Sequence, residues 1–310
     1  MDEIISVESL SKQFRDVKAV ADLSFSVRKG EVYGFLGQNG AGKSTTIRML
    51  LTLIKPSSGT IHLFGKNITG HRREVLQKIG AIIEKPDLYK YLTALENLRI
   101  ISRLSGLAMD KSHLLRQLEI VGIMDRADSK VKTFSQGMKQ RLGIACALVH
   151  DPELIILDEP VNGLDPQGIA DVRNLILHLS KNKAKTIFVS SHLLSEIELI
   201  ADSMLIIDKG RKIAEGKVGD LLNPADTIVE VQTTNNDTVR LLLQQSQWQS
   251  FLNADSNKIE LHMHKQYIPQ LASFLVERNV EIVSLHPKHS LEDYFLSLTT
   301  SNQHVATYKN

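Results

Sequence analysis

Residues 37–45 read GQNGAGKST, which fits the pattern G-x-x-x-x-G-K-[ST] at every fixed position. The apolar run before it, residues 32–36, predicts a buried strand, and the apolar-periodic residues 46–53 after it predict a helix. Backbone N–H groups at the start of a helix have no partner within the helix, so a glycine-rich loop in this position presents them to an anion. The order of strand, loop and helix therefore predicts a phosphate-binding loop rather than an ordinary glycine-rich turn.

The residues of this loop have separate expected tasks. Gly40 and Gly42 allow the backbone to approach the phosphates closely. Lys43 is expected near the β- and γ-phosphates of a nucleotide, and the Ser44 hydroxyl is expected to bind Mg²⁺ beside a carboxylate from elsewhere in the chain. The loop thus requires an acidic partner.

Residues 154–160, LIILDEP, supply that partner as an apolar strand that ends in two carboxylates. Asp158 is expected to hold Mg²⁺ through a water molecule. Glu159, on the opposite side of the strand alternation, is free to accept a proton from an attacking water, as general-base catalysis requires. The four apolar residues before the pair, together with the phosphate loop, favour this interpretation over a solvated turn.

Two further polar residues follow predicted strands. Glu84 comes directly after the buried run IGAII, residues 79–83, where a strand ends and a loop begins. His192 ends the run TIFVSSH, residues 186–192. Ligands bind at the strand ends beside a phosphate loop, so both side chains are candidates for the site. A lone histidine after a strand is more often a structural cap. Only the other polar residues expected at the same sheet edge favour a catalytic role for His192.

Helical periodicity extends over about residues 93–150 and ends in a helix that begins with FSQGM, residues 134–138. Ser135 is expected to cap this last helix, and Gly137 leaves backbone amides open at its start. The helix start predicts a second anion-binding terminus, although the local sequence alone favours an ordinary capped helix.

Alternating segments at residues 3–8 and 21–27 predict two antiparallel strands before the loop. Phe14 lies in the link between them, among polar neighbours. It can either stack on a nucleotide base or pack as a staple on the strand layer, and both interpretations stay open. After the first helix, residues 56–65 predict a turn and a strand, and residues 66–69 predict a connection.

The composition is that of a globular protein, with 310 residues, 42% of them hydrophobic and 23% charged, and a net charge of +2. Neither this balance nor any long basic run indicates a nucleic-acid partner. The single cysteine, Cys146, excludes an intramolecular disulfide, and its apolar neighbours predict core packing. No signal-peptide pattern and no 18-residue apolar run occurs in the sequence, so we expect any membrane role to depend on a membrane-spanning partner.

The pattern changes from about residue 225. Three alternating segments predict strands and three apolar-periodic segments predict helices; the strands are TIVEVQ, KIELHM and EIVSLH, and the helices are residues 239–251, 268–277 and 291–298. We expect a separate α+β domain that gives structural support or a dimer contact, with a regulatory site as the alternative. His262 and His264 alternate on one predicted strand, but without a further ligand pattern we expect exposed polar residues rather than metal ligands.

Taken in order over about residues 2–222, the motifs resemble those of the ATP-binding subunit of an ABC transporter. The resemblance pairs GQNGAGKS with the Walker A loop, FSQGM with the family signature, LIILDE with the Walker B strand, GLDP through Asp165 with the D-loop, His192 with the switch histidine, and Phe14 with the adenine-stacking aromatic. It implies an α/β P-loop fold with a RecA-like core, an antiparallel β subdomain and a helical subdomain at about residues 86–150. It also implies an ABC-type ATP-binding domain at residues 1–222 and a carboxy-terminal α+β accessory domain at residues 225–310.

The resemblance further implies ATP and Mg²⁺ as cofactors, and a head-to-tail homodimer or a paired ATPase subunit. Ser135 and Gly137 of one subunit would close over the γ-phosphate held by Lys43 of the other. Glu159 is then the base, His192 the γ-phosphate contact and Asp165 a link across the dimer. The implied catalytic residues are Lys43, Glu84, Glu159 and His192; the implied nucleotide contacts are Phe14, Gly37, Asn39, Gly40, Ala41, Gly42, Lys43, Ser44, Thr45, Ser135, Gly137 and Asp165; and the implied metal ligands are Ser44, Asp158 and Glu84.

The function that the resemblance implies is to drive separate integral membrane permease subunits from the cytoplasmic face of a bacterial membrane. The family usually has glutamine where this chain has Glu84. A carboxylate binds Mg²⁺ more strongly than an amide but adds negative charge beside a triphosphate, so the sequence leaves the sign of its effect on turnover open.

Glu84, FSQGM and residues 88–98, LYKYLTALENL, resemble the bacitracin-resistance and lantibiotic-immunity subgroup. We therefore hypothesise that the permease exports a peptide antibiotic and that Glu84 couples the nucleotide state to it. The alternatives are a soluble ABC-type ATPase that acts without a permease, and an exporter of another substrate such as a drug, a lipid or a polysaccharide.

Overall fold

The computed structural model describes residues 3–222, 227–253, 256 and 258–289. The chain divides into two units, Met1–Val218 and Gly219–Asn310. None of the helices in these described residues is both long and apolar enough to cross a membrane.

Strands and helices follow one another along most of the first unit. The strands are β1 Glu3–Phe14, β2 Val17–Arg28, β3 Val32–Gly37, β4 Ser58–Leu63, β5 Lys66–Asn67, β6 Ile79–Ile82, β7 Leu154–Leu157, β8 Thr186–Ser191, β9 Ser203–Asp208 and β10 Arg211–Lys217. The helices are α1 Lys43–Leu50, α2 Ile68–Leu76, α3 Ala94–Leu104, α4 Lys111–Ile120, α5 Gln136–Leu148, α6 Pro166–Lys183 and α7 Leu194–Glu198, and α8 Val218–Leu221 begins where the unit ends.

A six-stranded sheet of order β10-β9-β3-β8-β7-β6 forms the centre of this unit. Strands β9, β3, β8, β7 and β6 run parallel, and β10 pairs antiparallel with β9 at one edge. Parallel sheets are covered on both faces, and every residue of β3, β7 and β8 is accordingly buried. The predicted α/β class is confirmed, and the residues that follow the parallel strands meet at one edge of the sheet.

A second, antiparallel sheet of order β2-β1-β4-β5 contains the hairpin of β1 and β2. These strands are longer than the predicted segments 3–8 and 21–27, because four register shifts interrupt the alternation on which the prediction rested. Phe14 is therefore the last residue of β1 and does not lie in a link. The turn consists of Arg15 and Asp16, and Arg15 is in the left-handed region with φ 46°.

The two sheets share one hydrophobic core. Four aromatic rings lie at its centre with centroids 5.2–6.1 Å apart: Phe25 of β2, Tyr33 and Phe35 of β3, and Phe188 of β8. Burial of each large apolar side chain contributes about 1.5–3 kcal/mol to folding. This packing fixes β3 and β8, whose ends lead into the glycine-rich loop and His192.

Three capped helices, α3, α4 and α5, form the helical block predicted at about residues 93–150. Thr93 and Glu96 make a capping box at the start of α3, with Thr93 Oγ1 accepting from Glu96 N at 3.2 Å and Glu96 Oε2 accepting from Thr93 N at 2.7 Å. Asp110 caps α4 with its side chain. Such a cap satisfies a backbone N–H that has no partner in the helix, and it stabilises the helix by about 1 kcal/mol.

Helix α2 was not predicted, since residues 66–69 were expected to form only a connection. The structure has β5 there, and then α2 begins at Ile68. Ile68 and Val75 are the buried residues of this helix, so its sequence has little apolar periodicity to reveal it. The available signal was Asn67, whose side chain caps the helix by accepting from Thr69 N at 2.9 Å.

After α8, the described residues of the second unit contain a three-stranded antiparallel sheet and two further α-helices. The sheet has the order β12-β11-β13, and the elements are β11 Thr227–Thr233, α9 Asn236–Gln244, β12 Ile259–Met263, α10 Ile268–Val276 and β13 Ile282–His289. The helix predicted at residues 239–251 is shorter, because α9 ends at Gln244 and a single 3₁₀ turn follows at Gln249–Phe251. The helix predicted at residues 291–298 lies outside the described residues.

The two histidines of this unit are placed differently from each other. His262 is exposed on β12, whereas His264 lies after the strand and accepts a hydrogen bond from Gln266 N at 3.1 Å. In the part of the chain that the structure describes, no group of three or more histidine, cysteine or acidic side chains is arranged to hold a metal ion.

Candidate active site

The glycine-rich loop runs from the end of β3 at Gly37 to the start of α1 at Lys43. Gly40 and Gly42 have φ values of 83° and 106°, in the region that favours glycine. A Cβ at Gly42 would lie 2.5 Å from the carbonyl oxygen of Ala19, so both backbone conformation and space require glycine there. The structure describes the whole loop and the whole of α1. In these residues no side chain caps the helix, and no residue of its first turn is acidic. The helix start is therefore open to an anion.

The other loop residues line the same turn. Asn39 is exposed at its tip, and Ala41 is buried with its N–H donating to the Gln38 carbonyl oxygen at 3.0 Å. Ser44 and Thr45 are half-buried in the first turn of α1. The loop thus presents backbone amides and hydroxyl groups on one side and packs against the core on the other.

Lys43 is folded over its own loop. Its Nζ donates to the carbonyl oxygens of Gly37 at 2.6 Å and Gln38 at 3.2 Å, and it lies 3.1 Å from Glu159 Oε1. Only 5% of the side chain is exposed. A buried ammonium requires such partners, and a phosphate would compete with Glu159 for it.

Asp158 lies directly beyond β7 and is 1% exposed. Ser190 Oγ of β8 donates to Asp158 Oδ1 at 2.6 Å. Asp158 Oδ2 is buried and has no hydrogen-bond partner among the described residues, which is costly for a carboxylate oxygen. Together with the Ser44 hydroxyl it gives the oxygen donor set that Mg²⁺ prefers, so the residues present fit that ion.

Glu159 links the loop lysine to the histidine. Its Oε2 lies 2.7 Å from His192 Nδ1, while Oε1 faces Lys43. Strand alternation was predicted to place Asp158 and Glu159 on opposite sides. The strand cannot do this, because β7 ends at Leu157, before both residues, and Glu159 adopts φ 50°. This left-handed turn directs the two carboxylates differently, and a non-glycine residue in that region is a strained feature typical of functional sites.

Ser190 was missed by sequence reasoning. Its hydroxyl donates to Asp158 and also accepts from Glu159 N at 2.9 Å, so one hydroxyl holds both acidic residues. Because Val189 pairs with Leu157 across β7 and β8, Ser190 lies beside Asp158. A small hydroxyl residue one position before the end of a buried strand was the signal that could have indicated it.

Glu84 has a different setting from the other predicted site residues. It follows β6, adopts φ 59°, and its Oε1 lies 2.5 Å from Arg48 Nη2 of α1. The two side chains are 64% and 40% exposed. An ion pair of this exposure is worth about 0.2–1 kcal/mol. The catalytic and metal-binding roles of Glu84 stay predictions.

The signature residues form a second set at the starts of α5 and α6. Ser135 caps α5 as predicted, accepting from Met138 N at 3.2 Å. Asp165 caps α6, accepting from Gly168 N at 3.0 Å. A Cβ on Gly137 would lie 3.8 Å from Gly168 Cα, so the two helix starts are neighbours.

Phe14 is 46% exposed at the end of β1 and does not belong to the described core cluster. Lys12 Nζ lies 4.8 Å from the centroid of its ring. This exposure favours the base-stacking interpretation over a staple on the strand layer, and base stacking stays a prediction.

A groove of about 410 Å³ lies between the segment after β6 and helices α3 and α5. Its lining residues are Ala81, Ile82, Ile83, Lys85, Pro86, Asp87, Leu88, Ile101, Ser105, Gly143, Cys146, Ala147 and His150. Cys146 is half-buried in the groove wall rather than enclosed in the core, and burial raises the pKa of its thiol to about 12. The thiol is therefore protonated at neutral pH and unreactive.

A glycine-rich loop between a strand and a helix, beside an acidic strand end on a parallel sheet, defines a P-loop nucleoside triphosphatase. The family model described as ABC transporter matches residues 20–162. The chain is 43% identical over 300 residues to the bacitracin transport ATP-binding protein BcrA of Bacillus licheniformis, with 96% of this chain and 98% of the relative covered. It is 37% identical over 299 residues to the protein of the same name from Enterococcus faecalis, covering 96% and 97%.

Among solved structures, CbiO1 from Clostridium perfringens, part of the ABC transporter complex CbiONQ, is similar with a TM-score of 0.66 and 25% identity. The similarity covers 79% of this chain and 96% of CbiO1. The chain therefore belongs to the ATP-binding subunits of ABC transporters, and it is an ATPase. The expected family and ATPase activity are confirmed. ATP-binding subunits of this family work within transporter complexes, as CbiO1 does in CbiONQ.

Proposed function

We propose that the chain is the ATP-hydrolysing subunit of an exporter that removes a peptide antibiotic from a bacterial membrane. The proposal of ATP hydrolysis rests on one observation, which is that the Glu159 carboxylate contacts both Lys43 and His192. The peptide class is supported by the two bacitracin transport relatives, which are similar over nearly the whole chain. Glu84 in place of the usual glutamine supports the same subgroup.

Glu159 is the proposed general base. A γ-phosphate carries more negative charge than one carboxylate and competes with Glu159 Oε1 for the Lys43 ammonium. Once freed, Oε1 accepts a proton from a water molecule as the water oxygen bonds to phosphorus. The bond from phosphorus to the ADP oxygen breaks in the same displacement, and His192 contacts the γ-phosphate oxygens.

Mg²⁺ is the metal that we assign to this site. Ser44 and Asp158 would hold it, since Asp158 Oδ2 is buried and has no hydrogen-bond partner among the described residues. When bound, the ion supplies positive charge against the phosphate oxygens. Ser190 orients Asp158 for this task through its 2.6 Å hydrogen bond. Glu84 as a further ligand would first have to leave Arg48.

A second copy of the chain, or a paired ATPase subunit, completes the site in this proposal. Ser135 and Gly137 lie at the start of α5, where helix N–H groups favour an anion. We therefore expect head-to-tail pairing with the ATP enclosed between subunits, and Asp165 at the contact. Residues 225–310 are proposed as an accessory domain that supports this dimer. Light scattering of a Glu159→Gln variant should give a dimer with ATP and a monomer without it, and a monomer under both conditions would contradict the pairing.

The groove beside α3 and α5 is the proposed docking site for the permease. Its lining is mainly apolar, and Tyr89 and Tyr91 stand exposed next to it in sequence. Exposed aromatic side chains are enriched in protein interfaces. The segment that carries them is held by buried Asn97, whose side chain accepts from Tyr89 N at 2.8 Å and donates to the Tyr89 carbonyl oxygen at 3.1 Å. Docking there would place the chain at the cytoplasmic face of the membrane through the permease.

Glu84 is the proposed coupling residue between nucleotide and permease. It directly precedes Lys85 and Pro86, which line the groove, and it pairs with Arg48 of the helix that begins at Lys43. A shift of α1 on nucleotide binding would therefore change the position of the groove rim through one ion pair.

The function is tested by expressing the chain with the membrane protein encoded beside it in bacteria that are sensitive to bacitracin. We expect protection, loss of protection in the Glu159→Gln variant, and co-purification of the two proteins in detergent. Protection by the chain alone would favour an ATPase that acts without a permease. Protection against a different compound only would overturn the peptide class but retain the exporter.

A further inference from the structure

The end of β1 holds an exposed aromatic ring against an anchored ammonium group. Lys12 Nζ lies 4.8 Å from the centroid of the Phe14 ring, within the distance at which an aromatic face attracts a cation. The same Nζ donates a hydrogen bond to the Lys55 carbonyl oxygen at 2.7 Å. The ammonium is therefore held between a carbonyl group and the ring, and it covers one face of Phe14.

The backbone on both sides of Phe14 is held as well. Gln13 N donates to Ser57 Oγ at 3.1 Å. Gln13 Nε2 donates to the Arg15 carbonyl oxygen at 2.9 Å, across the residue that carries the ring. With the backbone fixed in this way, the freedom that Phe14 retains is rotation about its side-chain bonds, and the Lys12 contact restricts that rotation.

The hairpin also lies beside the phosphate loop. A Cβ on Gly42 would come within 2.5 Å of the Ala19 carbonyl oxygen, so β2 and the loop are in close contact at Ala19. Phe14 pairs with Val17 of β2, which lies two residues before Ala19. Two strand residues span roughly 7 Å. The exposed ring is therefore within reach of the base of a nucleotide whose phosphates lie in the loop.

We propose that Lys12 is a positioning residue for the nucleotide base. Its ammonium fixes the Phe14 ring and covers one face, which leaves the opposite face for adenine to stack on. The cation also draws electron density from the ring, which strengthens its stacking with an electron-rich purine. This inference rests on the proposed base-stacking role of Phe14, and the experiment separates the two.

Removal of the Lys12 charge should weaken nucleotide binding without slowing the chemical step. In the purified full-length chain, Lys12→Met should raise the Kd and KM for ATP about two- to fivefold and leave kcat unchanged. The affinity for ADP should fall by the same factor. Competition by inorganic tripolyphosphate, which has no base, should be unchanged. Lys12→Arg should restore binding, because a guanidinium can cover the ring and donate to the Lys55 carbonyl oxygen.

Two further variants separate this role from a general charge effect. Lys18→Met removes one positive charge from the opposite strand of the same hairpin, at a residue that pairs with Gln13, and should leave binding unchanged. Added to Phe14→Leu, Lys12→Met should cause no further loss. An equal loss in Lys18→Met, a parallel loss of tripolyphosphate binding, or a full additional loss in the double variant would overturn the role of Lys12.

The Phe14→Leu variant alone tests whether Phe14 stacks on the nucleotide base. If Phe14→Leu weakens ATP binding and Lys12→Met does not, the role of Lys12 is overturned and base stacking is retained. If Phe14→Leu has no effect on ATP binding, base stacking is itself overturned. Unchanged thermal unfolding of Lys12→Met and Phe14→Leu should accompany these titrations, so that any loss of binding reflects the site.

Discussion

Glu84 and Glu159 occupy equivalent positions at the ends of neighbouring parallel strands. Ile82 of β6 pairs with Leu157 of β7, and each glutamate lies two residues beyond that pair. Both adopt left-handed backbone conformations, with φ values of 59° and 50°, and both contact a basic residue of α1. They differ in exposure: the Glu84 side chain is 64% exposed, and the Glu159 side chain is 15% exposed.

One backbone arrangement thus occurs with a buried carboxylate at Glu159 and with an exposed carboxylate at Glu84. Charges that are largely removed from water interact strongly, so Glu159 is held firmly between Lys43 and His192 and is placed for proton transfer. An exposed pair such as Glu84 and Arg48 is weak and screened by salt, so it can exchange partners when the protein changes state. In the proposed function, the buried arrangement serves proton transfer and the exposed arrangement serves coupling.

The largest expected effect is that of Glu159→Gln. The amide cannot accept the proton of the attacking water, so ATP hydrolysis should fall about 10²- to 10⁴-fold while ATP still binds. Steady-state phosphate release and nucleotide titration measure the two quantities. Glu198→Gln, at an exposed glutamate that ends α7, is the matched control and should retain full activity. Normal turnover in Glu159→Gln would remove the distinction between the two strand ends.

A smaller effect is expected for Ser190→Ala. This change leaves Asp158 Oδ1 without its donor and Glu159 N without its acceptor, so the free energy of unfolding should fall by about 1–3 kcal/mol. Denaturant unfolding measures the loss, and turnover should fall with it. Ser191→Ala is the control, because that buried hydroxyl accepts from Leu193 N and contacts neither acid in the hydrogen bonds described. Equal losses in the two variants would show that Ser190 has no special role at the buried strand end.

The smallest expected effect concerns the exposed pair. In a double-mutant cycle of Glu84→Gln and Arg48→Gln, the coupling free energy should be about 0.2–1 kcal/mol and should decrease as salt is added. Exchange of the charges in Glu84→Arg with Arg48→Glu should preserve most of it. A coupling energy that is large and insensitive to salt would show that this pair is buried in solution, and the contrast with Glu159 would fail.

The fold and the strand-end residues could be predicted because parallel buried strands leave a strong apolar pattern and their polar ends meet at one edge. Asp158, Glu159 and His192 were predicted in this way, and the loop was predicted from its glycine and lysine motif. The left-handed turns at Glu84 and Glu159 could not be predicted, because the strand pattern stops before them.

Contacts between residues that are far apart in the sequence could not be predicted either. Ser190, which orients both acids, and Arg48, which pairs with Glu84, acquire their roles only when different elements pack together. Helix α2 was missed for another reason, since a helix with two buried residues has almost no apolar face.

The response of ATP hydrolysis to the permease separates the proposed roles of Glu84 and Glu159. The rate is measured for the wild-type and Glu84→Gln chains, each alone and in proteoliposomes with the membrane protein encoded beside the chain. We predict that Glu84→Gln keeps the rate of the isolated wild-type chain and loses the change in rate that the permease causes. A full response to the permease in Glu84→Gln, or a loss of hydrolysis by the isolated variant as large as that of Glu159→Gln, would overturn these separate roles.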